Sequence, residues 1–161
     1  MYKIGDKILY PMHGAGVIEE IEEQTVLGKK QAYYIMKMPP EGMKVMIPTA
    51  TCEDIGVRFI ISQTEGLKVL ERFRSEPISN DDNWNRRHRE NMVKIKSGDI
   101  YQVLTVVKNL MFRDRRKGLS TSERKMLGVS RQILVSELVL CGAADKSDVE
   151  SIMSDTIEEL L

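Results

Sequence analysis

Two patterns of apolar positions divide the chain near residue 60. Before it, short apolar runs are separated by glycine and proline, the signature of strands and turns. Lys7-Ile8-Leu9-Tyr10 reads as a strand stopped by Pro11. Gly16-Val17-Ile18-Glu19-Glu20-Ile21 reads as a second strand, Gln31 to Met38 as a third and Met43 to Pro48 as a fourth. Pro39-Pro40-Glu41-Gly42 reads as a turn, since proline presets φ and glycine accepts positive φ. Short antiparallel strands in about 50 residues suggest a small, curled sheet or barrel. So small a sheet has a poor core and leans on the rest of the chain.

After residue 60 the period becomes helical. Ser62-Gln63-Thr64-Glu65 is a capping box, followed by Leu67, Leu70 and Phe73. Ser75 to Asp82, with Pro77 and a polar run, reads as a linker. A helix from about Asn83 to Lys96 ends at Ser97-Gly98. Asp99 caps the next, where Ile100, Val103, Leu104, Val107, Leu110 and Met111 form one apolar stripe that ends before Gly118. Ser120-Thr121-Ser122-Glu123 is a second capping box, ahead of Leu127, Ile133, Leu134, Leu138 and Leu140. Ser147-Asp148-Val149-Glu150 reads as a third, opening a last helix. The expected fold is two-domain α+β. A β module covers residues 1–60, a connecting helix and linker 61–82, and a compact helical bundle 83–161.

Composition narrows the class. The 161 residues are 42% hydrophobic and 30% charged, which is globular rather than disordered. No run approaches the roughly 18 apolar residues a membrane span needs. Met1 to Asp6 lacks the apolar stretch of a secretory leader, so a cytoplasmic protein is expected. Cys52 and Cys141 are far apart, which favours reduced thiols. Two histidines and two distant cysteines make no metal signature, and neither a nucleotide-binding glycine loop nor a nucleophile elbow occurs. The expectation is a non-enzymatic protein without a cofactor.

The formal net charge of zero conceals a segregated chain. Residues 1–75 carry no net charge, 76–83 carry −3, 84–131 carry +9 and 132–161 carry −6. A basic block of this kind suits phosphate binding. It also suits a solvated helix face paired with the acidic last helix. Trp84, the only tryptophan, starts the helix that carries Arg86, Arg87 and Arg89. It is either a core anchor on the bundle or a surface aromatic among arginines, able to wedge at a base step or stack on an exposed base.

Two blocks then show a resemblance. Gly5-Asp6-Lys7-Ile8-Leu9-Tyr10-Pro11-Met12-His13-Gly14-Ala15-Gly16-Val17 resembles the opening motif of the CarD family, also called CdnL. That motif is shared with the polymerase-interacting module of the transcription-repair coupling factor. The second block runs from Trp84-Asn85-Arg86-Arg87-His88-Arg89-Glu90-Asn91 through Ser97-Gly98-Asp99, Arg113-Asp114 and Gly118-Leu119-Ser120. It continues through Glu123-Arg124-Lys125-Met126-Leu127 to Arg131-Gln132-Ile133-Leu134-Val135-Ser136-Glu137-Leu138, and it resembles the family's C-terminal domain. The resemblance implies a Tudor-like β-barrel that binds the β subunit of bacterial RNA polymerase. It implies a helical domain that meets promoter DNA at the upstream edge of the bubble, with little dependence on sequence. Trp84 then matches the family's minor-groove wedge, with Arg86, Arg87, Arg89, Arg113 and Lys125 as DNA-contact candidates.

The polymerase side matches less closely. Where the family has basic residues, this chain has Gln24 and Met46. Lys44 is one alternative source of charge. The run Met43-Lys44-Val45-Met46-Ile47 is a candidate edge strand that would pair through its main chain, and equally an ordinary core strand. The polymerase candidates are Gln24, Lys44, Val45, Met46 and Ile47. A monomer acting on polymerase in the nucleoid is expected, with no membrane partner. The alternative is an adaptor whose helical domain binds another regulator instead of DNA.

Overall fold

The first sixty residues form five strands, one more than the apolar pattern predicts. They are β1 (Lys7–Tyr10), β2 (Gly14–Val26), β3 (Lys29–Met38), β4 (Met43–Pro48) and β5 (Arg58–Phe59). They hydrogen-bond in the order β4-β3-β2-β1-β5, every pair antiparallel. β1 and β4 have the predicted bounds. β2 runs five residues past Ile21, through the polar stretch Glu22-Glu23-Gln24-Thr25. Most of that stretch is exposed, so no buried face imposes alternation there. β5 is only two residues long, too short to show a period. This computed structural model describes the chain except for Pro40, Glu41 and Asn80. The middle of the turn expected at 39–42, and one residue of the expected linker, therefore lie outside the described residues.

The sheet buries both faces. On one, Ile8, Ile18, Tyr34, Met36, Met38 and Ile47 gather with Cys52 and Val57 into a small core. On the other, Leu9 and Ala15 join the core of the helices. The loop after β1 fits the same purpose. His13 N–H donates to the Tyr10 carbonyl at 2.9 Å, Pro11 leads, and Met12 follows at φ 72°. A turn of this kind favours glycine at the positive-φ position. Met12 occupies it instead and packs its side chain on the helical core.

Six helices follow or interleave: α1 (Cys52–Ile55), α2 (Gln63–Ser75), α3 (Trp84–Lys96), α4 (Ile100–Arg116), α5 (Thr121–Leu140) and α6 (Lys146–Leu160). The predicted caps at Ser62, Asp99 and Ser120 are formed. Their side-chain oxygens accept from Glu65 N at 3.1 Å, Tyr101 N at 2.8 Å and Glu123 N at 3.2 Å. The third capping box is corrected. α6 is capped by Asp145, whose Oδ1 accepts from Asp148 N at 2.8 Å, and Ser147 lies inside the first turn. Aspartate caps as well as serine, and Asp145 stands two residues earlier.

α2 is more than a connector. Its Val69, Leu70 and Phe73 belong to the same buried cluster as Val103, Leu104 and Leu138. Gly66 permits the approach: a Cβ there would lie 2.5 Å from Cys141 Sγ and 2.9 Å from Ala143 Cβ. The β module in turn docks on α5. At Gly14 a Cβ would lie 2.7 Å from Ser136 Oγ, and the next residue, Ala15, donates its N–H to that same oxygen at 2.9 Å. Both cysteines are free. Among the described residues no helix is long and apolar enough to cross a membrane.

Candidate nucleic-acid interface

The site begins with a cap. Asn83 Oδ1 accepts the Arg86 N–H at 3.0 Å, which makes Trp84 the first residue of α3. A residue at a helix start has no preceding turn to cover it. Trp84 is 42% exposed and belongs to neither core cluster. Of its two readings, the structure shows the surface one. One ring face stacks on His88, four residues on, with centroids 4.9 Å apart and planes 26° from parallel. The indole Nε1 donates to Ser120 Oγ at 3.4 Å, and His88 Nε2 lies 2.9 Å from Ser122 Oγ. The start of α5 thus brackets the aromatic pair.

The arginines beside it divide by partner. Arg87 points inward. Its guanidinium makes two bonds to Glu123, at 2.8 and 3.1 Å, and a third to the Asp81 carbonyl at 3.1 Å. Its side chain is only 12% exposed. Three of its five N–H donors tie α3 to the start of α5 and to the linker, so Arg87 is the least exposed of the DNA-contact candidates on α3. The contact holds the Glu123 carboxyl below the usual carboxylate range. Arg86 is exposed and bonds Asp81 at 2.7 and 2.8 Å, pulling that carboxyl down to about 2. Arg113 and Lys117 both reach Asp82, at 3.5 and 3.2 Å, and keep it below its ordinary value, the lysine contact being the larger cause. Arg89 and Lys125 are exposed and make no ion pair among the described residues.

The charge segregation of the sequence is thus partly cancelled in space. The acidic linker folds back on the basic helices, enclosing a groove of about 340 Å³ between Asp82, Asn91, Arg113 and Lys117. The last helix contributes Glu158, 2.5 Å from Arg115. Arg89, on the helix that Trp84 opens, and Lys125 on α5 remain exposed, while Arg86, Arg113 and Lys117 are held by the linker carboxylates.

On the β module, β4 is one of the two edge strands, paired only with β3 among the described residues. Strand alternation decides which of its candidates are available. Lys44 and Met46 pair with Lys37 and Ile35 on the outer face, which Gln24 shares through Gln31 farther along β3. Met46 is 42% exposed, and Lys44 lies 3.5 Å from Glu19. Val45 and Ile47 face the sheet's own core, and Ile47 is fully buried. The Ile47 side chain fills the core, so among the polymerase candidates it has only its main chain to offer, as edge-strand pairing requires. The sequence reading missed Leu27, 99% exposed at the tip of the β2–β3 hairpin, and the supporting roles of His88 and Ser120. The i,i+4 spacing of Trp84 and His88 was the available signal.

Both parts of the chain match known domain families. The CarD-like/TRCF RID domain matches residues 2–61, and the CarD C-terminal domain matches residues 68–154. The Bacillus subtilis (strain 168) protein YdeB, whose name proposes it as a transcription factor, is 39% identical over 147 residues. Those residues are 91% of this chain and 96% of YdeB. The solution structure of the 72-residue N-terminal domain of Myxococcus xanthus CarD is 30% identical, covering 37% of this chain and 79% of that domain, with a TM-score of 0.33. With both domain families matched in order along the chain, it belongs to the CarD family of transcription regulators.

Proposed function

We propose that this chain binds the β subunit of bacterial RNA polymerase through its β module and stabilises the open promoter complex through its helices. In this reading residues 1–60 are the polymerase unit, 83–161 the DNA unit, and 61–82 the segment between them. Trp84 wedges into the minor groove at the upstream edge of the bubble. The observation that carries the reading is the position of Trp84, a half-exposed indole at the start of a helix that also carries the exposed Arg86 and Arg89. An aromatic wedge binds an opened base step better than straight duplex, so it shifts the equilibrium toward melted DNA. Arg86, Arg89 and Lys125 supply phosphate contacts, and Arg113 joins them once Asp82 releases it. Arg87 acts indirectly, by fixing α3 on Glu123. The outer face carrying Gln24, Lys44 and Met46, with the open edge of β4, is the proposed polymerase contact.

One observation favours the adaptor reading. Arg86, Arg113 and Lys117 are already held by the linker carboxylates. Salt dependence separates the two. Each phosphate contact steepens log K against log salt by about 0.9. Measured on polymerase–promoter complexes, the chain's contribution should weaken steeply with salt, and Arg89→Ala or Lys125→Ala should each flatten the slope by about one unit. A salt-independent contribution supports the adaptor.

A further inference from the structure

We propose that His88 is a positioning residue that holds the Trp84 indole ready for insertion. The inference rests on the wedge reading above and adds the part that makes the wedge stiff. An indole standing half out of a helix start is free to swing about its side-chain torsions. Here two contacts restrain it, and a third fixes one of them. The imidazole lies flat beneath one ring face, with centroids 4.9 Å apart and planes 26° from parallel. Ser120 Oγ takes the indole N–H at 3.4 Å. The imidazole itself is pinned at Nε2 by Ser122, 2.9 Å away. Both serines belong to the opening of α5, which Arg87 and Glu123 bind to α3 through two further bonds.

The geometry therefore forms a chain of support running from Glu123 and Arg87 through the first turn of α5 to His88, and from His88 to the exposed ring. A ring held in place before it meets DNA loses less freedom on insertion, which tightens the contact without adding one. The stacking plane matters more than the hydrogen bond, because the plane touches the indole and the bond only orients the plane.

Two substitutions separate these parts. His88→Phe keeps a flat ring and loses the bond to Ser122. His88→Gln keeps a polar partner for Ser122 and loses the ring. Each is compared with the wild-type chain, His88→Ala and Trp84→Ala in open-complex half-life on one promoter with intact polymerase. Trp84 is the only tryptophan, so acrylamide quenching of its fluorescence in the free protein reads the ring directly. His88→Gln and His88→Ala should lose roughly two- to tenfold of the half-life gain, the range one aromatic stack supports, with polymerase affinity unchanged and quenching increased. His88→Phe should keep most of the gain and the protected fluorescence. The proposal is overturned if Phe and Gln behave alike, whether both match the wild type or both match Ala. If Trp84→Ala leaves the half-life unchanged, the wedge reading itself fails. The quenching contrast between Phe and Gln then still decides whether His88 holds the ring.

Discussion

Arg58 on β5 and Glu137 in the last turn of α5 form a two-pronged ion pair across the boundary between the β module and the helices. Nη1 lies 2.6 Å from Oε2 and Nη2 2.9 Å from Oε1, with the Glu137 side chain fully enclosed. Glu137 also accepts the Ile61 N–H at 3.0 Å, and the Arg58 guanidinium donates to the Gly98 carbonyl. One carboxylate thus gathers β5, the entry to α2 and α5, and its arginine adds the loop before α4. The bracing fixes the distance between the proposed polymerase face and Trp84. Removing one partner of an enclosed pair leaves an uncompensated charge and costs about 3–5 kcal/mol, whereas a matched apolar pair costs far less. Glu137→Ala should therefore lose roughly that much in urea unfolding. Arg58→Met with Glu137→Leu should recover most of it. A loss below about 1 kcal/mol for Glu137→Ala would show that the pair contributes little.

Glu123 and Arg87 give a second, pH-dependent prediction. The Arg87 hydrogen bonds lower the Glu123 carboxyl below its ordinary value of 4.5. A lowered carboxylate binds fewer protons in the folded state than in the unfolded state at mildly acid pH. Its stabilisation is complete above the unfolded value and disappears as pH falls through the folded one. Arg87→Ala should remove this acid-sensitive share of stability, reduce the pH dependence of unfolding below about pH 5, and loosen the start of α3 on α5. Wild-type and variant unfolding curves that stay parallel between neutral and acid pH would contradict it.

The linker carboxylates predict an effect of opposite sign on DNA. Asp81 holds Arg86, and Asp82 holds Arg113 and Lys117. These pairs are solvent-facing and add little to stability. They do compete with phosphate for the same cations. Asp81→Asn with Asp82→Asn should tighten promoter binding on polymerase several-fold at low salt and steepen its salt dependence, because more cations are free to displace counterions. Binding that is unchanged or weaker would mean that these cations do not face the DNA.

Much of this arrangement is legible in the residue pattern, for definite reasons. The caps at Ser62, Asp99 and Ser120 are local chemistry, and the sequence carries them completely. β1 and β4 have sharp ends because Pro11 and Pro48 stand at them. The basic block is visible as a count of residues, but its pairing is tertiary. Nothing local indicates that Arg87 turns inward to Glu123, thirty-six positions away, while Arg89 stays outside. Ile47 shows the same limit. A five-residue run cannot say which of its alternating faces is buried until β3 is set against it. The family resemblance indicated which residue types matter near Trp84, and the structure shows which of them have free donors.

Leu27 tests a cost the sequence does not display. It occupies the hairpin tip at φ 53°, beside Gly28 at φ 79°, with its side chain 99% exposed. A branched residue is strained there, and asparagine or glycine fits the turn better. Leu27→Asn should raise stability by about 0.5–1 kcal/mol. If the hairpin tip also touches polymerase, the same variant should bind polymerase less well despite its greater stability. No gain in stability would show that the tip relaxes without cost.

The central claim is that Trp84 stabilises melted promoter DNA once polymerase has placed it. The direct test is the half-life of the open complex on one promoter, with polymerase alone, with the wild-type chain and with Trp84→Ala. The account predicts that the wild type lengthens the half-life and that Trp84→Ala removes most of the gain, roughly tenfold for a lost stack of about 1–3 kcal/mol, while its polymerase affinity and melting temperature stay unchanged. A variant that binds polymerase normally and lengthens the half-life as much as the wild type would contradict it.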